Sequence, residues 1–198
     1  MFIYEPERHE TLFETPTGSR LYGNARPDSD FDLFRVIVND PHRKRARNAA
    51  QTMKYDPLLG RTDDVTVVDL STFMTYASMG VPQYVEAAYS RIPTVDRLGE
   101  AFRLSLRPTL ASARSKYSGA IAHHWTRGSS SGDVKTLRHT HRMAYQWVTF
   151  VSRGLSFNPT LTAEEWALVE ADLNADPFER WGLESTETAE KTLAKALR

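Results

Sequence analysis

Gly18-Ser19-Arg20-Leu21-Tyr22-Gly23-Asn24-Ala25-Arg26-Pro27-Asp28-Ser29-Asp30-Phe31-Asp32-Leu33 is the stretch whose reading decides the fold. Its two ends differ chemically. Gly18-Ser19 offers unhindered backbone N–H groups and a hydroxyl, a combination that suits phosphate oxygens. At the other end Asp30 and Asp32 flank Phe31 and lead into Leu33, Phe34, Val36, Ile37 and Val38, which reads as a buried strand from about Asp30 to Val38. Residues i and i+2 of a strand share a face, so both carboxylates project together. Two carboxylates so close repel unless a cation sits between them. Mg²⁺ is the natural candidate, because it takes hard oxygen ligands and combines one or two carboxylates with substrate phosphates. A solvated turn between two strands would explain the Gly, Asn, Pro and Asp residues, but not two acids on one face of an apolar strand.

Taken together, Gly-Ser, the Tyr22-Gly23 pair, Pro27-Asp28 and Ser29-Asp30-Phe31-Asp32-Leu33 resemble the signature of the DNA polymerase β-like nucleotidyltransferase superfamily. The nearest resemblance is to the predicted nucleotidyltransferases common in bacteria and phages. It implies an α/β (α+β) fold: a polymerase-β-like mixed sheet with flanking helices, followed by an all-helical C-terminal region. It also implies a phosphate-binding turn at Gly18 and Ser19 and three carboxylates, Asp30, Asp32 and a third, holding Mg²⁺ (or Mn²⁺).

The third acid is expected on a neighbouring strand. Asp63-Asp64-Val65-Thr66-Val67-Val68-Asp69-Leu70 is rich in β-branched residues. Asp64 is the choice, with Asp63 reachable by a one-residue shift; Asp69 reads as a helix-entry residue. The resembled group places a Gly-Asn-Pro turn about 16 positions after that acid and a Glu shortly beyond. Gly80-Val81-Pro82 and Glu86 stand at those offsets, with Val81 departing from Asn. Glu86 reads as a structural hydrogen-bond partner for a loop backbone.

Between these strands His42-Arg43-Lys44-Arg45-Ala46-Arg47 places four permanent cations in six residues. It is either a solvated segment or a contact for a triphosphate or a nucleic-acid acceptor. The stretch up to Thr62 has little periodicity and reads as a loop beside the site.

From Ser71 the apolar period changes to 3.6. One helix ends at Gly80 and a second opens at Pro82. We divide the chain into a catalytic domain, residues 1–95, and a helical domain, residues 96–198. Pro108 interrupts the first helices of the second half, and Gly128-Ser129-Ser130-Ser131-Gly132 reads as a flexible turn halting a helix near Trp125. On the next helix Lys135, Arg138, His139 and Arg142 follow helical spacing and occupy one face. The resembled group also carries Lys, His and Arg in this place, which implies that Lys135, His139 and Arg142 bind the nucleotide. Cations beside a carboxylate site would offset triphosphate charge. Thr162-Ala163-Glu164-Glu165 is a capping box, Trp181 a packing anchor, and Ser185 to Arg198 a weakly apolar helical segment.

Composition limits the alternatives. The 198 residues carry 25 Lys and Arg against 25 Asp and Glu, so no global field draws the chain to nucleic acid or an anionic membrane. There is no cysteine, which excludes thiolate metal sites and disulfides and is compatible with a reducing cytoplasm. The N-terminus lacks a signal-peptide layout, and no apolar run is long enough for a membrane span. The expected function is transfer of a nucleoside monophosphate from a triphosphate such as ATP to an acceptor (RNA or tRNA, a protein, or a small molecule), with release of pyrophosphate. The alternative is a non-catalytic nucleotide-binding regulatory module on the same fold. A glycosyltransferase or hydrolase using Asp-x-Asp would need a Rossmann-like start that the N-terminus lacks.

Overall fold

The structure is a computed structural model that describes residues 9–38, 50–53 (backbone only) and 64–183. The basic run 42–47, Asp63 and the closing segment 185–198 lie outside the described residues. In chain order the elements are β1 (Thr11–Pro16), α1 (Gly18–Tyr22), β2 (Leu33–Ile37), β3 (Ala50–Met53), β4 (Val65–Asp69), α2 (Leu70–Ser78), α3 (Pro82–Ala88) and β5 (Val95–Asp96). Then come α4 (Glu100–Ser105), α5 (Leu110–Ser131), α6 (Val134–Ser152), α7 (Ala163–Glu170) and α8 (Pro177–Arg180). The class is α/β with a mixed sheet, ordered β3-β4-β2-β1-β5. Among the described strands only the central β2–β4 pair is parallel; the others are antiparallel.

Alternation along β2 and β4 divides the interior. Phe34, Val36 and Val68 face the helices and join Phe13, Phe73, Tyr117, Trp147 and Phe150 in the main core. Leu33, Ile37, Val65 and Val67 form a smaller cluster on the opposite face. Each fully buried large apolar side chain contributes roughly 1.5–3 kcal/mol. The main core draws residues from both sides of position 95, so sheet and helices share one interior. On the smaller face Arg35 donates through Nε to Glu14 Oε2 (2.7 Å), an ion pair buried across β1 and β2.

Three local expectations are corrected. First, β2 begins at Leu33, not Asp30; Asp30, Phe31 and Asp32 form the connection into it. Second, the region read as loop contains β3, which pairs with β4 from Ala50↔Val68 to Met53↔Val65. Four residues of mixed polarity are too few to display a period. Third, α5 runs unbroken through the serines to Ser131 and stops at Gly132 in the left-handed region. The serine hydroxyls bond back within the helix, Ser129 Oγ to Trp125 O (2.7 Å) and Ser131 Oγ to Arg127 O (2.8 Å). Gly128 packs closely on Leu137, whose Cδ2 would have to shift to admit a Cβ. A glycine that reads as a breaker is instead the contact point of α5 and α6.

Other signals hold. Asp69 caps α2, accepting from Thr72 N (2.6 Å). Pro82 opens α3, and Thr162 and Glu165 form the capping box of α7. Trp181 anchors by donating from Nε1 to His141 Nδ1 (3.0 Å). No helix among the described residues is long and apolar enough to cross a membrane.

Candidate active site

β1, β2 and β4 bring their site-bearing ends to one edge of the sheet. Thr17 N–H donates to Asp32 O (2.9 Å), and Leu33 N–H donates to Asp64 O (2.9 Å), so the backbone around Asp32 is held from both neighbouring strands. β2 and β4 pair in parallel with Leu33 opposite Val65. Extending that register by one residue sets Asp32 opposite Asp64, and by alternation both belong to the helix-facing side shared by Phe34 and Val68.

Gly18 follows directly. Its φ is +59°, the left-handed region that glycine enters without steric cost, and a Cβ at this position would collide with Asp32 Oδ2. The Gly18-Ser19 turn and the Asp32 carboxylate therefore touch. Arg20 steadies the acid-bearing connection from beneath: Nη2 donates to Ser29 O (3.1 Å), and its guanidinium lies 4.6 Å from the centroid of the Phe31 ring. Asp30 sits between these two anchored residues and is exposed.

A cleft of about 580 Å³ opens over this edge. Gly18, Ser19, Asp30 and Asp32 line one side, with Tyr22, Asn24 and Arg26; Lys135, Arg138, His139 and Arg142 of α6 line the other, with Trp166 and Glu170 of α7. Asp64 stands outside this lining set and is exposed. The structure thus gathers seven of the eight residues singled out by sequence around one cavity.

The four α6 residues differ in what they can offer. Lys135 is exposed at the cleft. Arg138 pairs with Glu170 through Nε (2.7 Å). Arg142 is 1% exposed; its Nη1 donates to Glu86 Oε1 (2.9 Å) and to Gln146 Oε1, and its guanidinium lies 3.5 Å from the Tyr22 ring centroid. Its charge is already matched inside the protein. His139 is pushed down to about 2 by burial first, then by Arg142, His124 and Lys135, so it is neutral at ordinary pH.

Glu86 and Tyr22 are the residues that sequence reasoning underrated. Tyr22 donates its hydroxyl to Glu86 Oε2 (2.7 Å), and burial raises the phenol far above its ordinary range, keeping it protonated. Glu86 thus bonds two side chains, one from each half of the chain, and not a loop backbone. Tyr22 O accepts from Leu161 N (3.1 Å) and Trp166 Nε1 (2.8 Å), and Thr160 Oγ1 donates to Leu21 O (2.7 Å). The segment entering α7 therefore clamps α1, and with it the Gly-Ser turn. The available signal was a Glu inside an apolar helix, Tyr84-Val85-Glu86-Ala87-Ala88, with an Arg on a facing amphipathic helix.

Hard carboxylate donors suit Mg²⁺. Asp30 and Asp32 are the expected metal ligands that line the cleft. Among the described residues no group of three or more His, Cys, Asp or Glu side chains is poised to hold a metal ion. No protein-family model matches the chain, and no curated protein matches it significantly.

Proposed function

We propose that the chain is a nucleotidyltransferase, moving a nucleoside monophosphate from a triphosphate such as ATP to an acceptor and releasing pyrophosphate. The finer architecture proposed with it is the polymerase-β-like version of the mixed sheet, and the proposed setting is the cytoplasm. One observation carries the reading: the Gly18-Ser19 turn lies in contact with the Asp32 carboxylate, inside a cleft that Asp30 and Lys135 also line. A turn suited to phosphate and a pair of acids suited to a divalent cation meet where a triphosphate needs both.

The roles proposed with this reading are as follows. Gly18 and Ser19 hold the β- and γ-phosphates through backbone N–H and Oγ. Lys135 offsets charge on the departing pyrophosphate. Asp30 and Asp32 would hold Mg²⁺ together with phosphate oxygens, and Asp64, on the neighbouring strand end, is the third candidate ligand. When bound, the ion supplies positive charge against the transferring phosphoryl group. The acceptor hydroxyl oxygen forms a bond to the α-phosphorus as the bond to the bridging oxygen breaks; its proton passes to solvent and pyrophosphate leaves. Acceptors in view include an RNA end, a protein side chain and a small metabolite.

Pyrophosphate release measured with each nucleoside triphosphate, Mg²⁺ and candidate acceptors tests this reading. Release that Asp30→Asn abolishes supports it. Tight nucleotide binding without release under any acceptor would instead favour a non-catalytic regulatory module. Asp64→Ala should reduce turnover more than nucleotide affinity; normal transfer by that variant would remove Asp64 from the site.

A further inference from the structure

His139 is the one α6 residue in the cleft whose chemistry differs from the basic face that the sequence suggests. Arg142 lies one turn further along α6, and its Nη2 stands 3.1 Å from His139 Nδ1. A guanidinium has donors and no acceptor, so Nδ1 must present a lone pair. A neutral imidazole with Nδ1 unprotonated carries its hydrogen on Nε2. Becoming imidazolium would place a hydrogen on Nδ1, facing a donor-only group. The Arg142 guanidinium is not free to turn away. Glu86 and Gln146 hold Nη1, and the Tyr22 ring covers its face.

We propose that His139 serves the cleft as a neutral hydrogen-bond donor through Nε2–H, and that Arg142 is the positioning residue that fixes this tautomer. The proposal rests on the nucleotide reading of the cleft and assigns His139 one phosphoryl oxygen of the bound triphosphate. It separates two jobs that a basic helix face would merge. Lys135 supplies charge, whereas His139 supplies direction without charge. Arg142 does not reach for the ligand; it sets the ring that does.

The surroundings reinforce this state. The His124 ring on α5 lies 4.9 Å from the His139 ring, centroid to centroid, and burial lowers its own proton affinity. Tyr22 on α1 contributes a ring 6.4 Å away and a phenol that stays protonated. On α6 itself Lys135 and Arg142 are cationic neighbours that oppose another positive charge. Glu86 on α3 acts on the ring through Arg142, whose Nη1 it binds. Burial, Arg142, His124 and Lys135 all act against the imidazolium.

The test has one arm independent of nucleotide. Imidazole ¹⁵N–¹H correlation spectra of the full chain, with His139 assigned by its loss in His139→Gln, should show the neutral Nε2–H form from pH 8 to pH 5.5. An Nδ1–H pattern, or a titration within that range, overturns the proposal whatever the cleft binds. The second arm measures ATP·Mg²⁺ affinity by calorimetry. His139→Gln, whose amide N–H can replace Nε2–H, should stay within about three-fold of the wild type, and His139→Leu should bind about ten-fold more weakly. Proton uptake on binding at pH 6 should be the same in the wild type and His139→Gln. Equal affinity in all three proteins, or an extra proton taken up by the wild type, refutes the donor role while leaving the nucleotide reading in place. Absence of ATP·Mg²⁺ binding by the wild type refutes the nucleotide reading and the donor's assigned target together.

Discussion

Removing the carboxylate of Glu86 should destabilise the protein more than any substitution at the acids of the cleft. Glu86 and Arg142 are 3% and 1% exposed at the side chain and 2.9 Å apart. Glu86→Ala would leave a buried guanidinium without its counter-charge and the Tyr22 hydroxyl without its acceptor. Breaking a buried pair from one side costs about 3–5 kcal/mol, against the roughly 5–15 kcal/mol that holds a typical native protein together. Replacing both partners is a different perturbation. Glu86→Leu with Arg142→Met, in a Tyr22→Phe background, removes both charges and the orphaned hydroxyl while keeping volume. That combination should cost less than either charge deletion alone. Urea unfolding followed by circular dichroism at pH 7 measures each step, with unchanged slopes required for the comparison. The resulting cycle should give a coupling of at least about 2 kcal/mol between positions 86 and 142. If the two losses simply add, the pair is not the unit that joins the two halves, and the reasoning fails.

Asp30→Asn should abolish pyrophosphate release while thermal unfolding stays at or slightly above the wild-type temperature, since one of two neighbouring carboxylates loses its charge; unfolding along with inactivity would mean the acids are structural. Gly18→Ala and Gly132→Ala form a matched pair, because both positions are left-handed but only Gly18 lacks room for a Cβ. Gly132→Ala should cost about 1–2 kcal/mol from backbone strain alone, whereas Gly18→Ala should cost more and also displace Asp32, with loss of nucleotide affinity; equal effects would remove the close contact from the argument. Stability should fall with acidification: below about pH 6.5 the unfolded chain protonates His139 while the folded chain, with this ring held down at about 2, does not. The contribution is up to about 1.4 kcal/mol per pH unit, present above the unfolded value and lost on the acid side, so His139→Gln should flatten the unfolding profile between pH 6 and pH 4. An unchanged slope would show that the ring titrates normally. His124 and His141, also lowered chiefly by burial, add in the same direction and remain in both proteins.

Local chemistry made much of this molecule legible from its residues. The apolar run Leu33, Phe34, Val36, Ile37 and Val38 marked β2, Asp69 and Thr162 announced their helices through capping, and Pro82 opened α3, because each depends on neighbours within a few positions. The same locality brought Gly18, Ser19, Asp30 and Asp32 to attention as one motif. Locality also explains the misreadings. Gly128 and the serines after it look like a breaker until α6 packs on them, and Ala50–Met53 becomes a strand only because β4 offers it a partner. The state of each cation on α6 lay wholly beyond the sequence. Lys135, Arg138, His139 and Arg142 follow one helical spacing, yet one is exposed, one is paired with Glu170, one is a neutral ring and one is consumed by Glu86. Charge in a protein is set by burial and by partners distant in sequence, and only the folded chain brings Glu86, Tyr22 and Arg142 within reach of one another.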